Sequence, residues 1–233
     1  MVRFARREPS AVLLVAQLGG VLLYPFMTGS VGRALFSLFG IAILGLVLLA
    51  VHSSPAWTWF GVLLALPASV LLVIQAVTGS DELLPYSSAI EAVLYFYAAG
   101  ALIAYMLADH EITRDELFAV GATFTLVAWA FAYSFTVLQA IEPRSFTAAI
   151  DPAGDRSWIE LLFLSFTTLS STGLSDVIPV KAFARSVVML EQLAGVAYIA
   201  MVVSRLVSLT VLRRADAERD ASRPLPPSSG RRE

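Results

Sequence analysis

The chain carries a series of apolar segments close to 20 residues long, separated by short breaks of turn residues or charge. An α-helix rises 1.5 Å per residue and the hydrocarbon layer of a bilayer is about 30 Å thick, so each segment is long enough for one crossing. Backbone groups inside lipid must bond within their own segment, and a helix meets that requirement. Cut on this ruler, five spans run from Ser10 to Met27, Arg33 to His52, Ala56 to Thr78, Leu83 to Ala108 and Glu116 to Ile141. A sixth runs from Ala182 to Leu212 and ends at Arg213 and Arg214. The breaks are Thr28-Gly29-Ser30, Ser53-Ser54-Pro55, Gly79 to Glu82, Asp109 to Asp115, and Glu142-Pro143, all with turn chemistry or charge.

Composition agrees: 58% of residues are apolar and 15% charged, against about 25% charged in soluble domains. A net charge of −2 and the lack of a basic patch exclude a nucleic-acid partner. Without cysteine there are no disulfides or thiolate sites, and two histidines, His52 and His110, cannot form a histidine metal cluster within one subunit. Arg3, Arg6 and Arg7 before the first apolar run superficially resemble a secretory signal. That run exceeds the usual apolar core of about 7 to 15 residues and more spans follow, so it is read as a retained helix.

Between the fifth and sixth spans, Trp158 to Ser170 is apolar and aromatic but only about half a span long, which suits a re-entrant helix that enters the membrane and turns back. It runs into Thr167-Thr168-Leu169-Ser170-Ser171-Thr172-Gly173-Leu174-Ser175-Asp176-Val177-Ile178-Pro179. Irregular backbone at membrane depth requires protein or a water-filled path beside it. If four such segments met on an axis, their carbonyls and hydroxyls could replace a cation's hydration shell. The plainer reading is that Ser170, Ser171 and Thr172 cap the short helix and stabilise a turn.

From Glu142 to Arg214 the sequence resembles the pore module of the potassium channel superfamily, in its bacterial ion-channel form with a Thr-Thr-x-Gly-Tyr-Gly-Asp signature. The resemblance implies a selectivity filter at Ser171, Thr172, Gly173, Leu174 and Ser175, with Thr168, Asp176 and Glu191 in support. Pro179 follows as in the family's Asp-x-x-Pro, and Gly195, 19 residues beyond Asp176, stands where the family places the gating hinge of the inner helix. Val196, Ile199, Val203 and Val207 form an apolar stripe, and the resemblance makes them the lining of an inner cavity. Packing is the competing reading of Gly195, which has Ala194, Ala197 and Ala200 beside it.

The departures from that signature are specific. Only one filter glycine, Gly173, is kept, so Ser175 must bear strain of about 1 to 3 kcal/mol or adopt another conformation. Leu174 lacks the family's tyrosine hydroxyl, and Phe163 and Leu164 replace the polar aromatic cuff. A less constrained ring discriminates less between potassium and sodium.

The expected fold is therefore all-α, with six transmembrane helices and a re-entrant pore helix and filter loop between the fifth and sixth. The expected units are a four-helix N-terminal membrane domain (1–112), a pore domain (113–214) and a disordered cytoplasmic tail (215–233). Basic residues place both termini in the cytoplasm, with the chain in the cell membrane. Four copies would be needed to close a ring around one pore loop per chain, giving a homotetramer that passes monovalent cations, potassium foremost, without a cofactor. Voltage gating is not expected, because no lysine or arginine lies between Arg33 and Arg114 and the fourth span carries no gating charge.

Glu91, Glu160 and Glu191 fall at or near membrane depth. Glu160 suits the start of the short helix, where a carboxylate complements the dipole, and Glu91 can snorkel outward. A weakly selective or sodium-permeable channel is one alternative. A secondary transporter is another, disfavoured because no half of the sequence repeats. An intramembrane serine hydrolase lacks a base near Ser171.

Overall fold

The computed structural model describes residues 8–26, 29–52, 58–79, 82–108 and 114–221. Arg3, Arg6, Arg7 and His110 lie outside them, as does the tail beyond residue 221. Seven helices occur among the described residues: α1 Pro9–Leu23, α2 Gly29–His52, α3 Thr58–Thr78, α4 Leu84–Ala108, α5 Arg114–Ile141, α6 Trp158–Leu169 and α7 Ala182–Ala221. A 3-10 turn, Tyr24–Phe26, extends α1. Two short strands, β1 Phe146–Thr147 and β2 Ile178–Pro179, pair antiparallel with Phe146 opposite Pro179, and so tie the loop after α5 to the segment before α7.

Five of these elements are long and apolar enough to cross a membrane: Pro9–Phe26, Trp59–Thr78, Leu84–Ala108, Asp115–Ile141 and Ala182–Ser208. The second expected span corresponds to α2, a helix of 24 residues with a described apolar stretch at Leu38–Leu49. Helix α7 continues through Ala221, past the point where the sequence suggested a structureless tail. Ala215, Ala217, Glu218 and Ala221 are good helix formers, and nothing in that stretch breaks the backbone pattern.

Helix α5 is the central post. On one side α4 packs along it through small side chains, Ala98, Ala99 and Ala101 against Ala128, Ala130 and Ala132, all buried. Small residues let membrane helices approach closely where lipid provides no hydrophobic drive. On the other side α1 runs parallel to α5. The Ser10 amide and hydroxyl donate to Asp115 at 3.1 and 2.9 Å, and Leu14 covers Gly121, where an added Cβ would lie 2.9 Å from Leu14 Cδ2. Farther along, the Tyr24 ring meets Trp158 at 5.6 Å. Large apolar side chains such as Val15, Leu22 and Val77 remain exposed on the periphery, as a hydrocarbon solvent allows.

Candidate functional site

The short helix α6 is anchored at its start by a charge network. Gln139 on α5 clamps the Arg156 backbone, accepting from its amide at 2.8 Å and donating to its carbonyl at 3.1 Å. The buried Arg156 guanidinium gathers the carbonyls of Ile150, Asp151 and Gly154 and pairs with Glu160 at 3.2 Å. Glu160 also accepts from the Ser157 amide at 2.7 Å and hydroxyl at 2.6 Å, a capping box on the first turn. Partial burial would raise the Glu160 carboxyl, but the Ser157 bonds and the nearby Arg156 outweigh it and hold the group below its ordinary value.

The back of α6 rests on α5 and α7. Glu191 on α7 is fully buried, and the Ser165 hydroxyl on α6 is hydrogen-bonded both to one of its carboxylate oxygens and to the Ala128 carbonyl of α5, the latter at 2.8 Å. One serine thus joins three helices. Four residues along α7, Gly195 touches the end of α6: an added Cβ would lie 2.8 Å from the Leu169 carbonyl carbon and closer still to its oxygen. That glycine is required by the close approach of α7 to the α6 backbone. Glu191 sits behind the short helix and not beside the Gly173 segment.

Helix α6 ends in a Schellman turn. The Ser171 amide donates to the Thr168 carbonyl at 3.0 Å, and the Thr172 amide donates to Thr167 at 2.9 Å. Ser171 takes the left-handed conformation at φ 61°, where glycine is usual. The Gly173 amide and the Thr172 hydroxyl converge on the same Thr167 carbonyl at 3.1 and 3.3 Å, and Ser170 and Thr172 share a hydroxyl contact at 3.0 Å. Gly173 is again left-handed, at φ 66°. Ser175 is not among the positive-φ residues, so it has taken the other conformation and its hydroxyl instead accepts the Val177 amide at 3.0 Å.

These bonds leave a distinctive surface. Among the described residues, no hydrogen bond is accepted by the carbonyls of Ser171, Thr172, Gly173 or Leu174. All four residues are exposed, Leu174 by 77%, as is Asp176. The serine and threonine run therefore does cap the helix, and beyond the cap it presents unsatisfied carbonyl oxygens. Thr168 is buried and contributes its carbonyl to the cap.

Among the described residues, helix α7 buries the stripe Ala184, Val188, Glu191, Gly195 and Tyr198. Val196, Ile199, Val203 and Val207 lie off that stripe, each exposed by 43 to 58%. Near the end of the span, Arg205 pairs with Glu116 at the start of α5 at 3.0 Å.

Two sequence expectations change. Glu91 does not snorkel: it is 1% exposed, beside the buried rings of Tyr95 and Tyr133. Phe163 and Leu164 do not act alike, since Phe163 is 47% exposed and Leu164 is buried. Sequence reasoning missed Ser165, Arg156 and Gln139. A buried-arginine signal could have come only from the acidic, turn-forming run Asp151 to Asp155 beside it.

The sequence matches a family described as Ion channel over residues 92–211, more than half of the chain. No curated protein and no solved structure matches it. The matched region spans most of α4, α5, the short helix α6 with its exposed polar turn, and the apolar part of α7. With a short helix between long apolar spans inside that match, this multi-pass chain belongs to the ion channel family, a non-enzymatic family of ion-conducting membrane proteins.

Proposed function

We propose that the chain is one subunit of a homotetrameric cation channel of the cell membrane, with potassium its main permeant ion. The supporting observation is the turn after α6. Ser171 to Leu174 are exposed and their backbone carbonyls accept no bond among the described residues, while the amides of Ser171, Thr172 and Gly173 are turned back into the α6 cap. A ring of such carbonyls from four subunits substitutes for water around a dehydrated monovalent cation, with no charged group and no cofactor.

In this reading α1 to α5 and α7 are six spans, α6 is the re-entrant pore helix, and both termini face the cytoplasm. Residues 113–214 form the pore unit, residues 1–112 brace it, and residues 215–233 form a cytoplasmic tail. Ser171 to Ser175 form the filter, and Thr168 and Glu191 hold its helix in place. Val196, Ile199, Val203 and Val207 line the cavity below. Gly195 is the position about which α7 bends.

One exposed carboxylate per subunit at Asp176 gives a fourfold ring that concentrates cations at the outer mouth. The test is the reversal potential of the purified protein in planar bilayers with KCl on one side and NaCl on the other. A shift toward the potassium equilibrium potential is expected. A potential near zero assigns a weakly selective cation pore, and a gradient that discharges only with a second substrate overturns the channel in favour of a transporter.

A further inference from the structure

Helix α7 has a third face that neither its own subunit nor the proposed cavity accounts for. Leu190 and Leu193 lie there, 62 and 68% exposed, on the side away from the buried Glu191 and Gly195 stripe and off the Val196 to Val207 stripe. Elsewhere on the chain lies a surface without an occupant. Leu18 and Val21 of α1 form one wall of a trough whose other wall is Phe163 and Phe166 of α6, running from Asp176 at its outer end. The trough continues inward between α1, α5 and α7, again past Leu18 and Phe166, to Ile199 and Val203, which form the rim it shares with the proposed cavity.

We propose that this trough seats α7 of the adjacent subunit, so that α1, the first helix of the chain, is part of the seam between pore subunits. The inference rests on the tetrameric channel reading and adds to it an assignment for α1. A rotation axis normal to the membrane leaves depth unchanged, so each residue in the trough must meet residues of the partner at its own level. Leu18 faces Phe166 across the trough, and Phe166 lies within one turn of the Leu169 carbonyl that touches Gly195. Leu18 is therefore within a turn of the level of Gly195, and the unassigned side chain nearest that level is Leu193. One turn farther out, Val21 meets the partner's Leu190, because α1 runs outward and α7 runs inward.

The contact is heterologous: each subunit offers α7 on one side and the trough on the other, and the ring closes at four.

The chain contains no cysteine, so introduced pairs can be read without a background. In membranes treated with copper–phenanthroline, Leu18→Cys combined with Leu193→Cys is expected to give a disulfide ladder through dimer and trimer to tetramer. Either single variant can link at most two chains. Val21→Cys with Leu190→Cys is a second pair, one turn outward, in case the first does not assemble. Native mass measurement of the same proteins separates the two claims. A mass of four chains of 25.1 kDa with no ladder from either pair overturns the α1 seam alone. A single-chain mass overturns both the seam and the channel.

Discussion

Two left-handed residues, two positions apart, shape the polar turn, and they do so differently. At Gly173, φ 66°, a Cβ would meet nothing within 4 Å, so any effect of a side chain there is conformational, about 1 to 2 kcal/mol for an L-residue. Gly173→Ala is expected to reduce single-channel conductance or current at least about 10-fold while leaving expression and the helix content by circular dichroism unchanged. Ser171 already bears that cost at φ 61°. Ser171→Gly should raise the thermal midpoint, with up to about 1 kcal/mol of added stability. Gly195 is a steric case, since its neighbour is the Leu169 backbone, which cannot swing aside. Gly195→Ala is expected to cost about 1 to 3 kcal/mol, visible as a lower melting temperature in detergent as well as a lower current. An unchanged melting temperature would leave bending as its sole role.

At the scale of elements, α6 depends on a charged start and a hydroxyl-rich end. Because Glu160 is held below the ordinary carboxylate value, its capping contribution is complete above about pH 4.3 and is lost as pH falls through the lowered value. Thermal midpoints measured from pH 7 down to pH 3 should therefore drop at the acid end, and Glu160→Gln should make that part of the profile shallower. Helix α4 has no lysine or arginine along its length. A conductance recorded across a voltage ramp should be nearly flat, and a steep sigmoid would require a gating charge that α4 does not possess.

Apart from the C-terminal end of α7, the helices were legible in the sequence to within a few residues, because hydrocarbon thickness sets a length and breaks such as Gly79 and Glu142-Pro143 mark the ends. The short length of α6 was legible for the same reason. The joints were not. Ser165 and Glu191 are 26 residues apart, and Gln139 and Arg156 are 17 apart, with no local pattern announcing either pair. Nor does propensity predict a serine in the left-handed conformation at Ser171 while Ser175 avoids it; the Schellman bonds from the helix end decide that.

For the whole molecule, the chain of rings around Trp158 matters most. Trp158, the first residue of α6, packs on Tyr24 at 5.6 Å, Trp129 at 5.2 Å and Tyr133 at 5.6 Å, and Tyr95 of α4 closes the group against Trp129 and Tyr133 at 5.9 and 5.6 Å. Glu91 lies buried beside this layer, near Tyr95 and Tyr133. Cutting the chain between α4 and α5 would strip Tyr24, Glu91 and Tyr95 from the pore helix and leave the indoles of Trp129 and Trp158 facing lipid. A fragment of residues 113–214 is expected to insert into membranes but to lose most ion flux in liposomes, and co-expression with residues 1–112 as a separate piece should restore it. On that outcome the smallest working version of this conduit is larger than a pair of helices around a loop, with its foundation laid by the half of the polypeptide that precedes α5.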